Sequence, residues 1–249
     1  MLSPPEDVIA CWLLFGSLPK IDKFLELGSY IGGGLAIFNQ ALIETGHTGV
    51  EFTGIDHLDF IGAKTAGKNG AWYSDHFNRC LNPDEILALE NIETAQEAQE
   101  WIKQRTLTLT GNSINLTCYK NETELDSTKY NIIHHDYGDG VTDNLDTIRN
   151  CLNKLKDDGL YIVDDWNTGA PLRTWSTVIA QQQGLLFPVM WGRNKVVFAK
   201  NKETAQQTVD LILANTECNP KLFKTMPGSE YFGLNYKTVR MHWQAMQWS

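Results

Sequence analysis

Nothing in these 249 residues is apolar for long enough to cross a bilayer. The run from Val8 to Leu18 is too short, and its prolines near the start and Asp7 in the first turn read as a helix instead. No C-x-x-C pair occurs. The five cysteines are scattered and odd in number, which argues against a disulfide framework and fits a reducing compartment. The sequons at Asn115 and Asn121 are expected to be chance, because no leader is read ahead of them. Basic residues are in deficit, with 21 Lys and Arg against 30 Asp and Glu, for a net charge of −9. No basic stretch with interleaved aromatics appears, so a general nucleic-acid partner is not expected. The G-x-G-x-x-G fingerprint of dinucleotide folds is also missing. Without repeats or low-complexity linkers, the chain reads as one soluble, cytoplasmic domain over 1–249, with no membrane partner.

What is present is concentrated in Lys23-Phe24-Leu25-Glu26-Leu27-Gly28-Ser29-Tyr30-Ile31-Gly32-Gly33-Gly34. A short apolar run ends in an acid, followed by four glycines within seven residues. The run reads as a buried strand, and the glycines as a loop where φ is positive or a Cβ would block a ligand. Leu35 to Ile43 reads as the helix that follows. Strand, glycine loop and helix build a nucleotide pocket at the carboxyl end of the first strand of an open α/β sheet. The spacing acid-x-G-x-x-x-G, from Glu26 through Gly28 to Gly32, resembles motif I of the class I S-adenosylmethionine-dependent methyltransferases. The resemblance implies that Glu26, Gly28, Ser29, Gly32 and Gly33 bind the methionine part of the cofactor, and a carboxylate there suits a ligand with a cationic end.

Val50 to His57 reads as a second strand ending in Asp56, 28 residues beyond Gly28. An acid at that tip is where Rossmann-like folds accept hydrogen bonds from ribose hydroxyls. Residues 58–110 are too long for a simple connection and read as a helical insertion or cap near the substrate. Trp72, Tyr73 and His76 within it, and His57 just ahead of it, are candidates for acceptor packing or proton transfer. Asn82 with Pro83, and Thr94 with Glu97, mark two helix starts, the second helix running from Ala95 to about Arg105. Both Thr106–Thr110 and Ile114–Tyr119 alternate like strands. The second is preferred for the third strand, which places Asn121 near the adenine.

Tyr130 to Asp136 is the fourth strand and Asn144 to about Lys156 a helix. Asp157-Asp158-Gly159 reads as a turn and Leu160 to Asp165 as the fifth strand. Leu185–Met190 and Lys195–Ala199 flank Trp191–Asn194 as a hairpin. The expected fold is a doubly wound, Rossmann-like, mostly parallel seven-stranded sheet closed by a C-terminal antiparallel pair. Residues 1–21 form an N-terminal helix. Residues 201–249 form an extension whose aromatic end covers the domain or joins two copies in a homodimer.

Asp136, Asp164 and Asp165 end two strands at one rim. Crowded carboxylates repel unless a cation lies among them, and oxygen ligands suit Mg²⁺ first, then Mn²⁺ or Ca²⁺. The pattern D-x-x-D-G, helix, D-D-G, V-D-D-W resembles the metal-dependent small-molecule O-methyltransferases within class I. That resemblance implies a metal on Asp136, Asp164 and Asp165, with Asn167 a spare ligand, and a small-molecule hydroxyl as acceptor. Relatives carry a His or Lys base just past the fourth-strand acid; here Asp139 takes that place. Asp136, Asp139 and His135 are the catalytic candidates. His134 and His135 face opposite sides of a strand, so at most one points at the site. Trp166 is a further candidate for packing on an acceptor ring. Two other readings remain: a nicotinamide oxidoreductase, and an inactive binding protein that keeps the fold.

Overall fold

A computed structural model describes residues 5–29, 31–56, 81–137, 141–166, 171–191, 194–218 and 244–245. In chain order these form α1 (Pro5–Ser17), β1 (Lys23–Leu27), α2 (Gly33–Glu44), β2 (Glu51–Ile55), α3 (Pro83–Glu90), α4 (Ala95–Thr110), β3 (Asn115–Tyr119), β4 (Tyr130–His135), α5 (Val141–Lys154), β5 (Leu155–Val163), α6 (Pro171–Gln182), β6 (Phe187–Trp191), β7 (Val196–Ala199), α7 (Lys202–Cys218) and the two-residue β8 (Gln244–Ala245). The sheet order is β3-β2-β1-β4-β5-β7-β6, with β8 at the edge beside β6. Strands β1 to β5 pair in parallel, and β7 runs antiparallel between β5 and β6. The seven-stranded sheet with an antiparallel terminal pair therefore stands as expected. Most of the aromatic C-terminal segment lies outside the described residues.

Alternation along the strands splits the core in two. Phe24, Phe52, Ile132 and Ile162 face α1, α2, α4 and α7; Leu25, Leu27, Ile133, Tyr161 and Val163 face the other side with Ile148, Cys151 and Ala180. The first core centres on Phe24, whose ring lies 5.0 Å from Phe38 and 5.2 Å from Phe52. Phe38 in turn meets the edge of His134 at 4.8 Å, so the apolar core ends directly against a polar cluster.

Two sequence expectations shift for local reasons. Ile114–Tyr119, the preferred third strand, is β3, but the helix expected to end at about Arg105 runs on through Thr106–Thr110 and completes α4: Ala98, Ile102 and Thr106 share a buried face at helical spacing, while Leu107 and Leu109 stay exposed. Thr108 and Thr110 return their hydroxyls to Gln104 and Thr106 carbonyls, and Gly111, at φ 72°, ends the helix. The predicted turn at Asp157–Gly159 is absorbed into β5. The register there jumps from Tyr130↔Leu155 to Ile132↔Leu160, so the extra residues form a bulge and not a loop between helix and strand. The capping boxes of Asn82 with Glu85 and Thr94 with Glu97 are both present. The latter part of the expected insertion packs beside β3 and α2, with Arg105 Nη1 donating to the Ile31 carbonyl at 3.1 Å. Residues 57–80, with His57, Trp72, Tyr73 and His76, lie outside the described residues. Among the described residues no helix is long and apolar enough to cross a membrane.

Removing the central ring should test this arrangement. Phe24→Ala is expected to cost about 3–5 kcal/mol in urea unfolding; a loss under about 1 kcal/mol would show that the ring cluster does not hold the sheet to α2.

Candidate functional site at the carboxyl rim of the sheet

Parallel pairing brings the ends of β1, β2, β4 and β5 to one rim. Register sets Glu26 beside Gly54 on one side and His134 on the other, and Leu27 beside His135. Past the strands, the Asp136 N–H donates to the Leu27 carbonyl at 2.9 Å, and the Asp164 N–H to His135 at 3.0 Å. The glycine loop and the strand-end acids are therefore neighbours.

The loop is shaped by close approach. Gly28 has φ 88°, and a Cβ on it would lie 2.6 Å from the Asp136 carbonyl oxygen. A Cβ on Gly34, in the first turn of α2, would lie 2.4 Å from Glu26 Oε1. These glycines make room for the protein's own atoms, which the sequence reading had assigned to a ligand. The Gly28 and Ser29 N–H groups donate to the Ile55 carbonyl at 2.8 and 3.1 Å, and Ser29 is buried. Gly32 caps α2 from the left-handed region, where a Cβ would run into Ile102, whereas no atom of the described residues lies within 4 Å of where a Cβ on Gly33 would sit. Glu26 is 2% exposed. Its Oε1 meets His134 Nδ1 at 3.1 Å, and its Oε2 is buried with no hydrogen-bond partner among the described residues. Burial raises Glu26 above its ordinary value, against the opposing pull of His134. A buried carboxylate oxygen without such a partner, under the glycine loop, fits a ligand bearing a donor or a positive charge.

Asp56 follows β2 at the same rim, half-buried, and its N–H donates to the Tyr119 carbonyl at 3.2 Å. Asn121 lies past β3, where it caps the short 3₁₀ turn Glu122–Glu124. Its side-chain oxygen accepts from the Thr123 N–H at 3.2 Å, and its own N–H donates to Glu124 at 3.1 Å. That oxygen is thus engaged within the turn.

His134 and His135 do face opposite sides. His135 Nε2 contacts the Tyr137 carbonyl at 2.8 Å, and the Tyr161 hydroxyl contacts Nδ1. A carbonyl can only accept, so the proton lies on Nε2 and Nδ1 accepts from Tyr161. Burial, and then Arg173, hold His135 well below the ordinary histidine value. With both nitrogens committed and no exposure, His135 braces β4 against β5 instead of offering a base, which departs from the catalytic place expected of it. Asp139 and Asn167 lie outside the described residues.

His134 belongs to the Glu26 side. Its Nε2 lies 3.2 Å from Lys195 Nζ and 3.7 Å from Asp164 Oδ2, and Lys195 Nζ also contacts Asp164 Oδ2. An ammonium only donates, so the Lys195 contact makes Nε2 an acceptor and puts the proton of the neutral ring on Nδ1, toward Glu26. Burial and Lys195 oppose a second proton on His134; Asp164 and Glu26 outweigh them and draw its pKa above the ordinary value. Burial works to raise Asp164, but Lys195 and His134 override it and hold that carboxyl well below the usual range. Lys195 itself is lowered by burial and raised further by Asp164 and Asp136, for a net increase. Asp136 behaves differently: burial and the Asp164 charge push it up to about 7, although Arg173 Nη1 lies 3.2 Å from its Oδ1. Burial, then Asp164, also raise Asp165, which adopts φ 55°.

The expected divalent ion does not fit this set. Asp164 is closed by the Lys195 ammonium and Asp136 by the Arg173 guanidinium, which also donates to the Asp164 carbonyl at 2.9 Å. Among the described residues no group of three or more His, Cys, Asp or Glu side chains is placed to hold a metal. Neither cation stands out along the strands in the way the acids do. Lys195 carried a signal, a lone charge leading into Val196-Val197-Phe198-Ala199 on a strand that starts at this rim. Arg173 carried none.

Solved structures are similar to this chain in fold. The chain is similar to the cofactor-bound Rv0187 from MTB at 9% identity, over 80% of this chain and 82% of that one, with a TM-score of 0.50. It is similar to the O-methyltransferase NovP at 13% identity, over 79% of each chain, also at 0.50. The chain has the class I methyltransferase fold. No protein-family model matches it, and no curated protein matches it in sequence. At such identities the likeness speaks for the methyltransferase fold alone.

The raised Asp136 carboxyl has a measurable consequence. Between about 3.9, the value in an unfolded chain, and about 7, the folded protein keeps a proton that the unfolded chain has released. The contribution of this group is therefore complete below about 3.9 and is lost as pH rises to about 7. Asp136→Asn lacks that loss. Its stability in urea relative to wild type should improve from pH 4 to 7 and then level off, with an amplitude moderated by the 31% exposure of the side chain. A difference that stays constant with pH would overturn the assignment.

Proposed function

We propose that the protein transfers a methyl group from S-adenosylmethionine to a small-molecule acceptor, a hydroxyl oxygen in our reading. The observation that carries this is the shared rim: a glycine loop over the buried Glu26 carboxylate, whose Oε2 has no hydrogen-bond partner among the described residues, next to a partly exposed acid, Asp136, with a pKa near neutrality. The fold shared with a cofactor-bound structure and with an O-methyltransferase supports the same reading.

When bound, S-adenosylmethionine supplies an electrophilic methyl sulfonium. Glu26 would receive its cationic end, Gly33 would admit it, and Asp56 would accept from its ribose hydroxyls. Asp136 would take the proton from the acceptor hydroxyl. A base with a pKa near the working pH is both ionised often enough and basic enough for that task. Trp166, half-buried and 5.9 Å from Phe198, offers a ring near the end of β5 for an apolar acceptor. No step is assigned to a divalent ion, because the carboxylates that would hold it are paired with Lys195 and Arg173. The nicotinamide reading gains nothing from the structure, since the loop lacks the G-x-G-x-x-G spacing that turns backbone N–H groups onto a pyrophosphate.

Calorimetry with S-adenosylhomocysteine tests the core of this reading. Binding is expected, and Glu26→Gln should weaken it about tenfold or more, the size of a lost hydrogen bond to a charged group. No binding at millimolar ligand would reject the proposal. Across a panel of small hydroxyl acceptors, kcat should rise with pH through about 7, and Asp136→Asn should lower it by about 10²–10⁴-fold. A variant that methylates at the wild-type rate would remove Asp136 from the base role.

A further inference from the structure

Lys195 is one of the largest fully buried side chains among the described residues, lying just ahead of β7 with 2% of its side chain exposed. A buried ammonium is costly unless it is paired and hydrogen-bonded. Here it has a carboxylate oxygen of Asp164 and the Nε2 of His134. The antiparallel register sets Val163 beside Val196, so the residue before β7 necessarily falls against the residue after β5. Two strands of opposite direction thus bring one cation and one anion to the same point of the rim.

We propose that Lys195 is the resident cation of this rim: its ammonium occupies the charge position beside Asp164 that a divalent ion would need, and it ties Asp164 at the end of β5 to His134 on β4 without metal. Glu26, Asp136 and Asp164 meet Lys195 and Arg173 within one connected cluster that the His134 ring bridges. An entering ion would have to displace Nζ from Asp164 and the guanidinium from Asp136, and would then place two further positive charges beside both. Lys195 is a positioning residue, since it is enclosed and reaches an acceptor only through Asp164 and His134. The inference does not depend on methyl transfer and would hold for any reaction at this rim.

Titration of the full-length protein with Mn²⁺, followed by electron paramagnetic resonance of the free ion, tests it. Wild type should leave the free Mn²⁺ signal undiminished. Lys195→Ala opens the position and should take up a bound ion, an uptake abolished by the further change Asp164→Asn. Lys195→Arg, which keeps the charge, should behave as wild type. The proposal is overturned if wild type binds Mn²⁺ and Asp164→Asn removes that binding, or if a folded Lys195→Ala protein takes up none. Should Lys195→Ala fail to fold, the wild-type titration with its Asp164→Asn control still decides. Binding of S-adenosylhomocysteine, measured on the same samples, separates failure of this inference from failure of the methyl-transfer reading.

Discussion

The structure turns on a buried chain of charge running across three strand ends, from Glu26 on β1 through His134 on β4 to Lys195 and Asp164 at the junction of β5 and β7. Each link is nearly inaccessible to water, so each needs the next. Removing one member would leave an uncompensated charge in a low-dielectric interior, which is costlier than losing a surface pair. The cluster lies directly on the phenylalanine core through the edge contact of Phe38 with His134, so packing on one side of the sheet fixes the geometry of the polar groups above it.

That chain also divides labour among carboxylates that look alike in the sequence. Asp164 is tied to Lys195 and stays ionised. Asp136, a short step away and partly exposed, feels the Asp164 charge and rises toward neutrality. Two acids with separated pKa values at one rim provide a fixed counter-charge and a group that exchanges protons. On the opposite face, His135 and Tyr161 lock together and take no part in that exchange. Neighbouring residues on one strand thus have unrelated chemistry because strand geometry sends them to different layers.

Much of the fold was legible in the chain. Apolar runs of strand length ending in acids, helices opened by Asn82-Pro83 and Thr94-x-x-Glu97, and a hairpin around Trp191–Asn194 are local signals, and local sterics and hydrogen bonding decide them. The errors arose where local pattern and tertiary burial competed. The helix expected to end at about Arg105 runs on through Thr106–Thr110, whose alternation looks strand-like, because a helical face containing Ile102 and Thr106 is buried and carries it on to Gly111. Asp157–Gly159 has turn composition, yet pairing of β5 with β4 drew it into the strand as a bulge.

The glycine loop, the acids at the strand ends and the shared rim they occupy were determined by the sequence alone, because period-two burial and parallel crossovers leave those residues one edge to meet at. The cation that answers those acids was decided only by tertiary structure. Lys195 lies 31 residues beyond Asp164 and Arg173 lies 37 beyond Asp136. Their meeting depends on the direction of β7 and the start of α6, and no spacing rule along the chain encodes which charge will fill a space that three distant segments enclose.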